Sequence, residues 1–150
     1  MNYDLRELRQ CVKSGDGDPA RKAGRAADIL RRGGSYRWVG IYEVTADEIA
    51  LLGWSGPGAP ASARFPKTKG LNGAAVQARS TLIVQDVRND PRYLTTFGTT
   101  RAEMIVPLRS RETGEVVGTI DVESERVDAF RDEDRLFLES AALALASLWR

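Results

Sequence analysis

Residues 115–124 read EVVGTIDVES, and the alternation within this stretch decides the fold. Successive side chains of a strand face opposite sides. Val116, Gly118, Ile120 and Val122 therefore share one face, and Val117, Thr119, Asp121 and Glu123 share the other. The first face is apolar and suits a core. The second ends in two carboxylates, two residues apart on the same side. On a central strand such a face is either wet or the wall of a ligand pocket. Residues 102–109, AEMIVPLR, read as the preceding strand. They lead in through residues 110–114, SRETG, a short glycine-containing connection that predicts a hairpin.

Working outward, residues 36–44 read as a strand with Tyr36, Trp38, Gly40 and Tyr42 on one face and Arg37, Val39, Ile41 and Glu43 on the other. A turn at 45–47 leads to a second strand over 48–54. Residues 55–70, SGPGAPASARFPKTKG, are rich in Gly, Pro, Ala and Ser and read as a rim loop. No Gly-Lys-Ser/Thr ends this loop, so it is not a phosphate-binding P-loop. Residues 71–79 read as a short helix, 81–86 as a strand, and 88–101, with Pro91, Gly98 and four threonines, as an irregular segment.

The ends of the chain are helical. Leu5, Leu8 and Val12 recur at helical spacing over 3–13, and residues 14–18 form a polar break. Asp18 before Pro19 is an N-cap and first-turn pair. The helix it opens carries Ala23, Ala26, Ala27, Ile29 and Leu30 and stops at Gly33 and Gly34. Its Arg21, Lys22, Arg25, Arg31 and Arg32 read as a solvated face rather than a nucleic-acid patch, because acids elsewhere balance them. From about residue 131 a last helix opens on Asp132, Glu133 and Asp134, which suit the positive end of the helix dipole. Beyond Leu136 only Glu139, Ser140, Ser147 and Arg150 are polar. A helix apolar nearly all round is covered on more than one side, which predicts a homodimer through the terminal helices.

The totals bound the function. One domain spans 1–150, with helices in 1–33, sheet and pocket in 35–124 and a helix in 131–149. The 22 basic and 21 acidic residues leave a net charge of +1, so no global field favours a nucleic acid or a membrane. No apolar run reaches transmembrane length, and the opening MNYDLRELRQ lacks a signal-peptide core, so a cytoplasmic location is expected. There is no histidine, which excludes a histidine phosphoacceptor, a His-ligated haem or zinc and every imidazole triad. The single cysteine, Cys11, lies in a helical pattern and reads as a packing residue.

The pieces RWVGIY (37–42), RFPKTKGLNGAAV (64–76), DV (86–87), AEMIVPL (102–108), GTIDVES (118–124) and FRDED (130–134) resemble a GAF domain. The likeness is greatest to the stand-alone GAF proteins of the free methionine-(R)-sulfoxide reductase family, and it covers about three quarters of the chain. It implies an α+β fold of PAS/profilin-like form. A central antiparallel sheet of five or six strands has the terminal helices on one face and a ligand pocket on the other. That family reduces its substrate with cysteine thiols. Here Ser62, Asn72 and Thr96 stand at the positions of its cysteines, with Thr96 in the attacking place. A threonine hydroxyl neither ionises near neutrality nor forms a disulfide, so the resemblance implies a site without the chemistry.

The positions matching the family's substrate-facing residues are Trp38, Tyr42, Glu103, Asp121 and Glu123. Alternation supports the set independently: Trp38 pairs in phase with Tyr42, Asp121 with Glu123, and Glu103 is out of phase with its apolar neighbours. Three converging carboxylates repel one another, which raises the pKa of at least one. A cation relieves that repulsion, and aromatic walls add roughly 0.5–2 kcal/mol of cation–π attraction. An ammonium-bearing or amino-acid-like ligand is expected, in a non-catalytic sensory or regulatory domain. A divergent sulfoxide reductase and a dimerisation module with a vestigial pocket remain the alternatives. The acidic face argues against phosphate. The missing histidine and the remote Cys11 argue against haem or a held bilin, so no cofactor is expected. Arg88, Asn89, Asp90 and Arg92 read as solvated loop residues. The run Asp121, Glu123, Glu125 reads as no metal site, since it lies on a strand with no loop to wrap a cation.

Overall fold

The computed structural model describes residues 1–15 and 17–149; the interior of the polar break at Asp16 and the terminal Arg150 lie outside the described residues. The elements are helix α1 (Arg6–Lys13), helix α2 (Pro19–Gly34), strands β1 (Trp38–Val44), β2 (Glu48–Ser55) and β3 (Arg64–Pro66), helix α3 (Gly70–Ala78), strands β4 (Leu82–Val84), β5 (Ala102–Arg109) and β6 (Val116–Ser124), and helix α4 (Asp132–Leu145). A 3-10 turn at Val87–Asn89 follows β4, and a second, Ala146–Trp149, ends the chain. The six strands form one sheet in the order β3-β2-β1-β6-β5-β4, antiparallel throughout. The expected hairpin is present as β5–β6, and it puts the opening stretch at the centre of the sheet.

The two faces carry different cores. On one, Val39, Ile41, Met104, Val106, Ile120 and Val122 pack beneath α1, α2 and α4. On the other, Trp38, Tyr42, Ile49, Phe65 and Val76 form a second cluster, with Leu71, Ala75, Val87 and Ile105 beside it. The helices are seated closely: a Cβ on Gly53 of β2 would lie 2.3 Å from the Gly24 backbone nitrogen of α2. Cys11 is buried in the first cluster, with its sulfur 3.8 Å from the Lys22 carbonyl oxygen, as a packing residue would be.

Several local readings change. Residues 64–66 form β3 on the sheet edge, inside what reads as a loop, because Phe65 buries itself beside Tyr42 and Ile49. The alternation of β6 slips at its start. Leu108 pairs with Gly118 and Arg109 with Val116, leaving Val117 as a bulge. Val117 consequently packs on the helix side and Val116 on the Trp38 side, the reverse of the simple alternation. Tyr36 stands before β1, not in it, and packs on the helix side, where its hydroxyl donates to Asp134 Oδ1 at 2.8 Å. Asp134, read as a helix-dipole partner, is buried and also accepts from the Arg131 backbone N–H. The residue in left-handed conformation after α2 is Ser35, at φ 55°, and both glycines belong to the helix. The last four described residues continue α4 only as a 3-10 turn. The Asp18 cap is as expected, with its carboxylate accepting from the Arg21 N–H at 2.8 Å.

Candidate functional site

Three strands deliver the five expected residues to one place. In β1, Trp38 and Tyr42 face away from the terminal helices, and Gly40 between them leaves the room they need. A Cβ there would come within 2.3 Å of the Trp38 ring and 3.2 Å of the Tyr42 ring. In β5, Glu103 sits between Ala102 and Met104, which belong to the opposite core. In β6, Asp121 and Glu123 lie two apart, and Glu123 is the direct cross-strand partner of both Glu103 and Trp38. One carboxylate oxygen from each of the three acids lies within 4.8 Å of the others. All five side chains are almost completely buried.

Charge buried in this way is costly unless it is paired or hydrogen-bonded. Among the described residues no lysine or arginine forms an ion pair with any of the three acids. Asp121 Oδ2 accepts from Asn72 Nδ2 at 2.9 Å, and Asn72 Oδ1 accepts from the Thr119 hydroxyl at 2.6 Å. Asp121 Oδ1 and both oxygens of Glu123 have no hydrogen-bond partner among the described residues. The consequences for acidity are large. Burial, then the charges of Asp121 and Glu123, then a hydrogen bond to Asp121, push Glu103 well above the usual carboxylate range. Burial and the Asp121 charge push Glu123 to about 9; the Thr96 hydroxyl nearby opposes this only weakly. Burial raises Asp121 to about 6, held down by its bonds to Glu103 and Asn72. Burial and the same three acids push the Tyr42 hydroxyl upward, so it stays neutral.

The lid over this cluster comes from the segment after the 3-10 turn. Phe97 meets the Trp38 ring edge-on at 5.5 Å, and the Trp38 indole N–H donates to the Gly58 carbonyl at 3.1 Å. The Ala61 N–H donates to the Thr96 carbonyl at 3.1 Å, tying the rim loop to the lid. Two small cavities remain beneath. One of about 10 Å³ is lined by Tyr42, Ser62, Asn72, Thr96 and Glu103 among others, so all three positions that match the family's cysteines meet at a single spot. Another of about 30 Å³ touches Arg37, Trp38, Phe97 and Glu123. A much roomier hollow, about 620 Å³, lies elsewhere, around Tyr36 and Arg126. Of the charges on its rim, Arg37 is paired with Glu125 and Arg131 with Glu133.

Alternation and resemblance together point to the five residues, and the resemblance points to Asn72 only as a cysteine position, not as the amide that organises them. Asn72 stands in an otherwise apolar helical run, Leu71 to Val76, and that lone polar residue was the available signal. Arg88 and Arg92 pair with Asp86 and Asp90 at 2.8 and 2.7 Å in exposed positions, and neither appears in the lining of the two small cavities. Glu125, the third acid of the 121–125 run, is exposed and paired with Arg37. Among the described residues no helix is long and apolar enough to cross a membrane.

Known proteins agree with this architecture. The GAF domain model matches residues 18–148. GAF domain-containing protein A of Dictyostelium discoideum is 33% identical over 105 residues, 69% of this chain and 64% of that protein. The free methionine-R-sulfoxide reductase of Saccharomyces cerevisiae is 34% identical over 107 residues, 70% of this chain and 58% of that protein. The matches thus span less than two thirds of either relative's own length. The crystal structure of free methionine-R-sulfoxide reductase from Neisseria meningitidis in complex with its substrate superposes with a TM-score of 0.85 at 29% identity, covering 97% of this chain and 85% of that one. A model match over nearly the whole chain, on a six-stranded sheet with the terminal helices and the chamber on opposite faces, makes this protein a member of the GAF domain family.

Proposed function

We propose that this protein binds a small ammonium-bearing, amino-acid-like molecule in the chamber of Trp38, Tyr42, Glu103, Asp121 and Glu123, as a sensory or regulatory domain without thiol chemistry. One observation carries the reading: three buried carboxylates meet under an aromatic wall, and among the described residues no basic side chain pairs with them. Such an arrangement is costly when empty and is relieved by a cation. The reductase relatives support an amino-acid-like guest. The thiol reading is the weaker one, because Ser62, Asn72 and Thr96 line the cavity where a nucleophile is needed. Cys11, the single thiol of the chain, lies buried in the helix-side core, away from that cavity. Signalling would pass through a second copy, docked on the terminal helices.

Thermal-shift screening against free amino acids, methionine sulfoxides, polyamines and cyclic nucleotides tests the reading. A ligand at a hundred times its dissociation constant adds about 2.7 kcal/mol of stability. Stabilisation by an ammonium compound, lost in Glu123→Gln and Asp121→Asn while both variants stay folded, supports it. Stabilisation only by cyclic nucleotides, or by none of the panel, refutes it. Turnover of methionine sulfoxide with a thiol reductant would restore the enzyme reading.

A further inference from the structure

We propose that Asn72 sets the charge of the empty chamber. It keeps Asp121 as the single ionised acid while Glu103 and Glu123 stay protonated, so the chamber selects a guest with one positive charge. The charge assignment stands on the geometry; the guest rests on the ammonium-binding reading above.

Three carboxyl groups with oxygens within 4.8 Å of one another, in the absence of any ion pair from the described lysines and arginines, cannot all ionise. Which one does is decided by the donors each receives. Asp121 Oδ2 receives the Asn72 amide N–H at 2.9 Å. Neither oxygen of Glu123 has a hydrogen-bond partner among the described residues, and the nearby Thr96 hydroxyl donates to the Leu94 carbonyl instead. A carboxylate that accepts a donor keeps its charge in preference to a buried one without donors, which takes a proton. The Asp121 carboxylate, which only accepts, keeps the amide nitrogen toward itself, and the Thr119 hydroxyl donates to Asn72 Oδ1 at 2.6 Å on the other side. The reversed amide would present its carbonyl to Asp121 and demand a proton there.

The remaining groups that face the cluster do not alter this count. Tyr42 from β1 and Tyr93 from the lid have hydroxyls made less acidic, by burial first, and stay neutral. Arg37 and Glu125, at the edge of the cavity that touches Glu123, are paired with each other at 3.4 Å. The empty chamber therefore carries one net negative charge. A monocation neutralises it with no proton displaced, and the unpartnered Glu123 carboxyl is left as a hydrogen-bond donor to the guest. A divalent cation must first expel a proton.

Carbon-13 carboxyl titration of the ligand-free protein tests the assignment without any guest. In the wild type, the Asp121 carboxyl is expected to titrate near about 6, with Glu123 protonated up to about 9. Asn72→Leu should raise the Asp121 midpoint by about one unit, a tenfold gain in proton affinity. Thr119→Val should move it the same way by less, and decides the matter if Asn72→Leu does not fold. Asp121 protonated above pH 8, all three acids titrating near their ordinary values, or an Asp121 midpoint unmoved in folded variants would each overturn the proposal. Calorimetry at pH 7 in two buffers of different ionisation enthalpy then compares ethylammonium with magnesium. Ethylammonium is expected to bind without net proton release. Tighter magnesium binding overturns the single-charge selection, whereas a correct titration with no ethylammonium binding overturns the ammonium reading and leaves the charge assignment standing.

Discussion

Glu103 and Glu123 sit directly opposite each other across β5 and β6, with 3% and 1% of their surfaces exposed. Like charges at such a pair of positions destabilise a sheet, and burial forbids water from screening them. Burial first, then neighbouring carboxylate charge, pushes both toward the neutral form, Glu123 to about 9. Places where a fold violates a local rule in this way are where function is expected.

A stability profile follows from that shift. An acid whose folded pKa is raised contributes stability in full below its unfolded value and loses it as pH rises toward the folded value. For Glu123 that window runs from 4.5 to about 9, and for Asp121 from 3.8 to about 6. The ligand-free protein should therefore melt at progressively lower temperature from about pH 5 to pH 9. At this chain length, a loss of about 2 kcal/mol corresponds to about 4–8 °C. Glu123→Gln should flatten the profile and melt higher than wild type at pH 8. Thermal unfolding followed by circular dichroism across this range checks both outcomes.

Cavities of about 10 and 30 Å³ beneath Phe97 and Thr96 hold little more than a water or two. A larger guest enters only when residues 93–100 lift away. Hydrogen exchange should find the amides of this segment among the faster ones without ligand, and slowed at least several-fold when a stabilising ligand is added. Exchange unchanged by a ligand that raises the melting temperature would place that ligand elsewhere.

The seat of α2 on β2 is backbone against backbone at Gly53, where a Cβ would lie 2.3 Å from Gly24 N and 2.7 Å from the Ala23 carbonyl carbon. Neither neighbour is a flexible side-chain end, so relief requires the helix to shift. Gly53→Ala should cost about 1–3 kcal/mol, read as a lower denaturant midpoint. A nearly neutral result would mean that α2 slides freely on the sheet.

Leu136 and Leu143 stand two turns apart on α4 and are exposed by 53% and 69%, while Phe137, Leu138, Ala141 and Leu145 are buried. An apolar pair on one outer face suits a second copy of the chain. Sedimentation velocity should find a dimer in the wild type and a monomer for Leu143→Glu, with the circular dichroism spectrum unchanged. A wild-type monomer at high micromolar concentration would refute the assembly.

Much of the fold was legible because its signals are local. Asp18 and Pro19 start α2, and the chamber face of β6 follows from Thr119, Asp121 and Glu123 in period two. What escaped was set by partners distant in sequence. Val117 and Val116 exchange faces because β5 pairs across a bulge that no run of residues announces. Phe65 makes a strand of a Pro- and Gly-rich stretch because β2 offers it an edge and Tyr42 a packing surface. Asp134 reads as a helix-dipole residue, and only the approach of Tyr3 and Tyr36 buries it.

By itself the sequence determined an antiparallel α+β plan of five or six strands, the helix-covered and chamber faces, and the five residues turned toward the chamber. Strand alternation and helix capping are written within a few residues of each position. Only the tertiary structure decided what those residues are. Asn72 reaches Asp121 across 49 positions of chain, Glu103 meets Glu123 across a hairpin, and the lid withdraws water from all of them. Protonation depends on burial and on neighbouring charge and hydrogen bonds, which exist only once distant segments pack.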